Sequence, residues 1–350
     1  MVTKDTLRDL CESTLDRRRV LQAIGAGGVA AGVSGRATAQ ERQGRGNESD
    51  RGVDVIARQE EGVVHWSLPG KRRLGRTVFG TPERPRATLQ PILDLLDDPD
   101  GAVGTLLQEL PILVGLPTAA RETNGDRTAY TQTAMPTPFS DNVRRVSGSV
   151  HATYRDRRPY DLPHAYGASP DEVTFDVEFT DPNGTAYTLD VHHTIQPPIP
   201  TWETGGGVVT DTWIHGTTGT ESPLLPRTYT YAAFWGVCDV IVEGDVVDEN
   251  KVIHAMTVGN MRTENGELAL QSEMPLAPDE TFGGQAHHTQ LIVPPITVGR
   301  DGPVHEAVNT AYELPNGHTQ PFIHLTFEED TIVKAPFAGW EFPDEEENEQ

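Results

Sequence analysis

The sequence predicts a mainly β protein, an antiparallel sandwich or barrel with a short N-terminal helical segment. Three observations point there. Val173, Phe175, Val177 and Phe179 alternate with Thr174, Asp176, Glu178 and Thr180, the two-residue period of a half-buried strand. Asp181-Pro182-Asn183-Gly184 then supplies turn chemistry, with Pro pre-setting φ and Gly able to take φ > 0. Tyr187, Leu189, Val191, His193 and Ile195 continue on one face as the returning strand, and similar short segments recur as far as residue 327.

In chain order, Asp16-Arg17-Arg18-Arg19-Val20-Leu21-Gln22 comes first, ahead of a Gly/Ala-rich stretch over 23–35. Ala37-Thr38-Ala39 follows with the small-x-small pattern of a signal-peptidase site. This order resembles the twin-arginine (Tat) export signal. The resemblance makes Arg17 and Arg18 the address and Ala39 the last residue before cleavage, leaving Gln40 as the new N-terminus. It implies the Tat machinery and signal peptidase as partners, a folded cargo, and an extracytoplasmic destination, secreted or at the cell surface. The apolar stretch falls short of the roughly 20 residues that span a bilayer, so no stable membrane insertion is expected after cleavage.

Residues 40–86 read as a flexible tether and leading segment, in which Lys71, Arg72, Arg73 and Arg76 look like a solvated basic patch. Residues 87–142 hold the helical segment and a loop. Leu89, Ile92, Leu93, Leu95 and Leu96 recur at helical spacing until Asp97-Asp98-Pro99-Asp100-Gly101 stops them. A second apolar run over 103–116 is interrupted by Pro111, and 118–142 is rich in Thr, Pro and Gly.

Residues 143–340 form the β-rich domain. Further strands are expected near 144–154, 228–235, 237–243, 251–259, 267–273, 286–293 and 321–327, with turns at Gly244-Asp245 and Asn265-Gly266. Residues 341–350 are an acidic tail. Such a pattern permits a lipocalin-type or carotenoid-hydratase-like barrel pair as a fold analogy. Asn183-Gly184-Thr185 at the hairpin tip and Asn47-Glu48-Ser49 in the tether are N-glycosylation sequons.

The chain carries 28 basic and 52 acidic residues, a net charge of −24. Without residues 1–39, which hold six basic and four acidic residues, the balance is 22 against 48, or −26. Lysine occurs only at 4, 71, 251 and 334, so arginine supplies the other basic charge. Few lysines and abundant carboxylates resemble haloarchaeal secreted proteins, whose self-repulsion is screened by salt. No basic stripe exists to neutralise phosphates, so nucleic acid is not expected as a partner. Cys11 leaves with the signal, and Cys238, in the apolar run 232–242, reads as a small buried hydrophobe.

The histidines supply the candidate chemistry. His192-His193-Thr194 leads to Pro197-Pro198-Ile199, and His287-His288-Thr289 leads to Pro294-Pro295-Ile296, as two equivalent strands of a duplicated unit would. A weaker echo holds His318 and His324. Imidazoles converging from several strands can hold Zn²⁺ or Cu²⁺, so His193, His215, His287, His288, His318 and His324 are the candidate ligands. His193 and His254 also fit as core histidines, because each shares a face with apolar neighbours. Asp211 and His215, either side of Trp213 and just before a Gly/Thr turn, form a candidate acid–base pair. No nucleophile elbow, phosphate-binding loop or dinucleotide fingerprint is present.

Three function classes follow. One is an extracytoplasmic β-rich binding protein for a small molecule, with a histidine-bound metal. Another is a cofactor-free secreted hydrolase or lyase built on Asp211 and His215. The third is a structural or surface protein that needs neither site.

Overall fold

Period-2 patterning becomes hairpins that follow one another along the chain. The computed structural model describes residues 52–86, 116, 118–138, 140, 142–157, 170–195, 207–215, 228–259, 287–299 and 302–336. Its strands are β1 (Val53–Gln59), β2 (Val63–Ser67), β3 (Arg121–Thr123), β4 (Tyr130–Thr133), β5 (Val143–Asp156), β6 (Glu172–Thr180), β7 (Ala186–Thr194) and β8 (Val208–Ile214). They continue with β9 (Thr228–Val242), β10 (Asp245–Gly259), β11 (His287–Val293), β12 (Ile296–Gly299), β13 (Gly302–His305), β14 (Ile323–Phe327) and β15 (Thr331–Lys334).

Eight wall positions close into one antiparallel barrel, with extra strands beside it. The order is β2, β5, β6, β7, β9, β10, β11 and β14, and β14 pairs back onto β2. Each wall strand lies beside its neighbour in sequence, an up-and-down connection that leaves no open edge in the ring. The other strands mostly lengthen the wall. β1 continues β2 along β5, β8 continues β7 along β9, and β15 continues β14 along β1. The sandwich-or-barrel alternative therefore resolves to a barrel.

Why these residues close the ring is visible in the pairing. Phe179 stands opposite Tyr187, Val177 opposite Leu189 and Ala152 opposite Phe175, so each strand sends its apolar set inward. Val64, Trp66, Val150, Tyr154, Phe234 and Leu325 join the same core. Burying a side chain of this size stabilises the fold by ~1.5–3 kcal/mol relative to leaving it exposed. Cys238 is fully buried in that core, and burial pushes its thiol up. On β6, Thr174, Asp176 and Glu178 face solvent.

β9, β10 and β11 are buried on both faces, which is why their sequences run apolar instead of alternating. Ile214, Ala233, Met256, Val258 and Ile292 form a second cluster on the outer face. Beside it His254 stacks on Trp235 at 4.2 Å, and its Nδ1 lies 2.8 Å from the Phe234 carbonyl. Gly236 sits where the sequence suggested two strands. An added Cβ there would meet the His193 carbonyl at 2.9 Å, and β9 runs unbroken through it. Glu243 and Gly244, at φ 51° and 89°, make the tight β9–β10 turn.

Several expectations change. β1 and β2, within the segment read as tether and leader, are part of the wall. The short N-terminal helix is not confirmed. Its run over 87–115 lies outside the described residues, which contain only α1 (Arg76–Phe79) and a 3-10 turn at Thr118–Ala120. The basic patch is not simply solvated: Arg72 is buried with its guanidinium 5.9 Å over Phe79. Leu74, Phe79, Leu116, Ala120 and Tyr130 form a small separate core there. Arg121 ties it by donating to the carbonyls of Phe79 (2.7 Å), Leu116 (3.0 Å) and Arg86 (2.7 Å). The signal region with Arg17, Arg18 and Ala39, the Asn47 sequon, the expected 267–273 strand and the acidic tail lie outside the described residues. No helix of the described residues is long and apolar enough to cross a membrane.

Candidate functional site

One end of the barrel is filled. Trp66 packs against Phe179, Tyr187 and Tyr312 at 5.9, 5.7 and 6.1 Å, and Phe179 stacks on Tyr187 at 5.2 Å. Buried polar groups fix the covering segment. Trp66 Nε1 donates to Gln320 Oε1 (3.3 Å), and Gln320 Nε2 donates to the Ser67 and Phe322 carbonyls at 3.0 Å each. Tyr187 accepts from the Ala311 N–H (2.8 Å). Lys251, wholly buried, donates to the Glu306 and Ala307 carbonyls and lies 3.6 Å from Asp248.

The opposite end is polar. His287 Nδ1 lies 2.9 Å from Asp330 Oδ1, and Thr289 donates to Asp330 Oδ2 at 2.6 Å. Thr289 and Thr257 hydroxyls are 2.8 Å apart, and Thr257 is 3.1 Å from the Tyr154 hydroxyl. Asp330 is buried, while the His287 side chain keeps 18% exposure. Tyr231 meets the His287 ring edge-on at 6.1 Å. Burial and then the Asp330 charge push the Tyr231 phenol up to about 12, and the same causes raise Tyr154 further.

Irregularities in the wall deliver these groups. β14 and β15 are interrupted at Glu328-Glu329, which keeps both Phe327 and Asp330 turned inward. The matching break between β1 and β2 is bridged by Gln59, which donates to Gly148 O (3.2 Å) and accepts from the Glu329 N–H (2.9 Å). Tyr231 is the extra residue where β9 slips against β10, between the Ala232–Thr257 and Thr230–Val258 pairs. Bulges of this kind re-aim a side chain out of the regular pleat.

Asp211 on β8 and His215 just after it flank the same rim, and both hold positive φ, 48° and 65°. Such backbone is uncommon outside glycine and clusters at functional positions. Asp211 Oδ1 accepts from the Tyr229 hydroxyl at 2.7 Å, Tyr229 meets Tyr231 edge-on at 5.0 Å, and half-exposed Trp213 packs on Tyr229 at 5.6 Å. The arc Asp211–Tyr229–Tyr231–His287–Asp330 is therefore continuous. His215 is buried at the end of β8.

The remaining histidines disperse. A one-residue slip between Val191 and His193 turns His193 opposite Val237, so it is exposed and not in the core. His192 instead pairs with Asp239 at 3.1 Å. His288 faces away from His287, with the Gln290 amide donating to its Nε2 at 2.8 Å. His324 is buried on the outer face and His318 is exposed on the covering segment at the filled end. Among the described residues, no three His, Cys, Asp or Glu side chains are grouped to hold a metal ion. The echoed histidine pairs end β7 but begin β11, so those strands are not equivalent. Asn183 is exposed at the β6–β7 turn.

Asp330, Tyr229 and Tyr231 escaped the sequence reading. Asp330 hides in the triplet Glu328-Glu329-Asp330, which resembles a solvated turn. The usable signal was Thr257 and Thr289, hydroxyls at inward positions of otherwise apolar strands. No protein-family model matches the chain, and searches of curated proteins and of solved structures return no match.

Proposed function

We propose that the chain is an exported small-molecule-binding barrel whose ligand enters at the His287–Asp330 end. The observation that carries this reading is the buried Asp330 carboxylate inside an apolar barrel, at the end opposite the aromatic plug. A buried charge is costly to stability, and an apolar filling would serve a purely structural barrel better. An eight-stranded barrel has room for side chains or for one small ligand, and a mostly apolar interior with a few convergent polar groups is the usual ligand site. The ligand class is a small molecule with an apolar body and a hydrogen-bonding head. The Arg17-Arg18 pair, the Ala39 site and the net charge support export of a folded chain into a salty medium.

The fluorescent amine N-phenyl-1-naphthylamine tests the site at high salt. Emission should rise and shift to the blue with wild type, and Tyr231→Trp, which fills the rim, should abolish the rise. Equal emission from both would place the dye elsewhere and remove the reading. Replacing Arg17 and Arg18 by Lys should hold the chain in the cytoplasm, and undiminished release would count against the twin-arginine route.

A further inference from the structure

The hydrogen bonds around Asp330 run in one direction. A carboxylate only accepts, so His287 and Thr289 must both donate to it. Thr289 has then spent its proton and accepts from Thr257, which in turn accepts from Tyr154. Such a chain of donors ending on one carboxylate is mutually polarising. It also orients the imidazole: Nδ1 carries a proton toward the carboxylate, so in the neutral ring the lone pair falls on Nε2. Nε2 makes no hydrogen bond to a described residue, and the ring reaches solvent at the rim.

That arrangement favours one kind of chemistry. Both threonines donate into the Asp330 network, and Cys238 is buried in the core with a raised thiol. Among the described residues, no activated nucleophile therefore stands beside the imidazole. An imidazole whose Nδ1 donates to a carboxylate and whose Nε2 meets no described residue is equipped, when neutral, to take a proton.

We propose that His287 is a general base, positioned by Asp330, that removes a proton from an activated carbon of the bound ligand. This inference rests on the binding reading above and gives that site an activity, a cofactor-free elimination or isomerisation. The Nε2 lone pair takes the proton from a carbon next to an electron-withdrawing group, and the C–H electron pair moves into that group. The imidazolium so formed is paired with Asp330. It then returns its proton to another atom of the ligand in isomerisation, or to water after a leaving group departs in elimination. Asp330 is a positioning residue, since it touches the base and not the ligand.

The probe is 5-nitro-1,2-benzisoxazole, whose ring C–H is removed by a base. The electron pair forms a nitrile, the N–O bond breaks, and the coloured 2-cyano-4-nitrophenolate leaves. Wild type at high salt should exceed His287→Gln by on the order of 100-fold. His193→Gln and His318→Gln, both exposed on other surfaces, should match wild type. Asp330→Asn should lower kcat about tenfold or more with KM unchanged, a split that loosened packing would not produce. Near-UV circular dichroism and naphthylamine binding show whether each variant is folded and occupied. Equal rates for wild type and His287→Gln, or a wild-type rate no faster than buffer, would overturn the proposal. If the dye still binds at the Tyr231 end in that case, the binding reading stands and only the base falls. If dye binding and elimination are both absent, both readings fall.

Discussion

At the Trp66 end of the barrel, aromatic rings interlock and buried amides, a tyrosine and a lysine hook a covering segment onto the strands. At the His287 end, the same strands present hydroxyls, a carboxylate and an imidazole, and two phenols stand at the rim. The first arrangement maximises dispersion and hydrophobic burial. The second spends interior space on groups that must be desolvated and then satisfied one by one. A barrel selected for stability alone would not need the second kind of end. The contrast teaches where to look for function in an up-and-down barrel: at the end whose inward residues are harder to bury.

The largest expected effect belongs to the filled end. Trp66→Ala should cost ~3–5 kcal/mol, because it empties the centre of the aromatic cluster and strands the Gln320 amide. Trp213→Ala, at the opposite rim and 37% exposed, should cost under ~1 kcal/mol. Denaturant midpoints at high salt measure both, and similar losses would mean that the ends do not differ in packing. Lys251→Met comes next, at roughly 3 kcal/mol, since it leaves Asp248 buried without its cation. Adding Asp248→Asn should recover part of that loss. Its amide oxygen can still accept from the Asn309 backbone N–H, which Asp248 holds at 2.6 Å.

The alternating strands that bring Phe179 and Tyr187 to the filled end were legible in the sequence, while Trp66, within the segment read as tether, and the polar end were not. Phe175, Val177 and Phe179 announce their strand by alternation, and the Pro182-Asn183-Gly184 turn fixes its register with Tyr187 and Leu189. Alternation works there because one face meets the core and the other meets water. It fails on β9 to β11, which are buried on both sides, and it fails wherever a bulge intervenes. The slip beside Val191 moves His193 from the expected core face to the surface, since a shift of one residue exchanges the faces of a strand. The interruption at Glu328-Glu329 does the converse for Asp330, carrying a residue from an acidic triplet into the barrel. Asp211 was visible as a candidate, but its partner is Tyr229, contributed by the next strand. Short-range spacing cannot show a pair that only cross-strand register creates.

A smaller effect is expected from Asp330→Asn, about 1–3 kcal/mol by the same midpoints. The amide keeps only one of the two acceptor oxygens, so either His287 or Thr289 faces an NH2 donor in place of its acceptor. Nitrogen-15 NMR of the histidine ring should then show the Nδ1–H tautomer giving way to a mixture. A ring that stays wholly in the Nδ1–H form would mean that Asp330 does not set it.

The smallest effect is a pH dependence, and it compares the two ends directly. Folded Tyr231 ionises at about 12, raised first by burial and then by Asp330, whereas an unfolded tyrosine ionises near ~10. Below about pH 10 the group is neutral in both states, so it leaves stability unchanged. Between about 10 and 12 the unfolded chain loses the proton and the folded chain keeps it, so stability falls as pH rises. Tyr231→Phe should make that fall shallower, and Asp330→Asn should lower the pH at which Tyr231 ionises. Tyr187 at the filled end is raised first by burial, with the Asp181 charge contributing, so Asp330→Asn should leave it where it is. Tyrosinate absorbance during alkaline titration, read with Tyr231→Phe as reference, separates the two. An equal response of both tyrosines to Asp330→Asn would mean that the carboxylate acts through global loosening and not through its charge at one end.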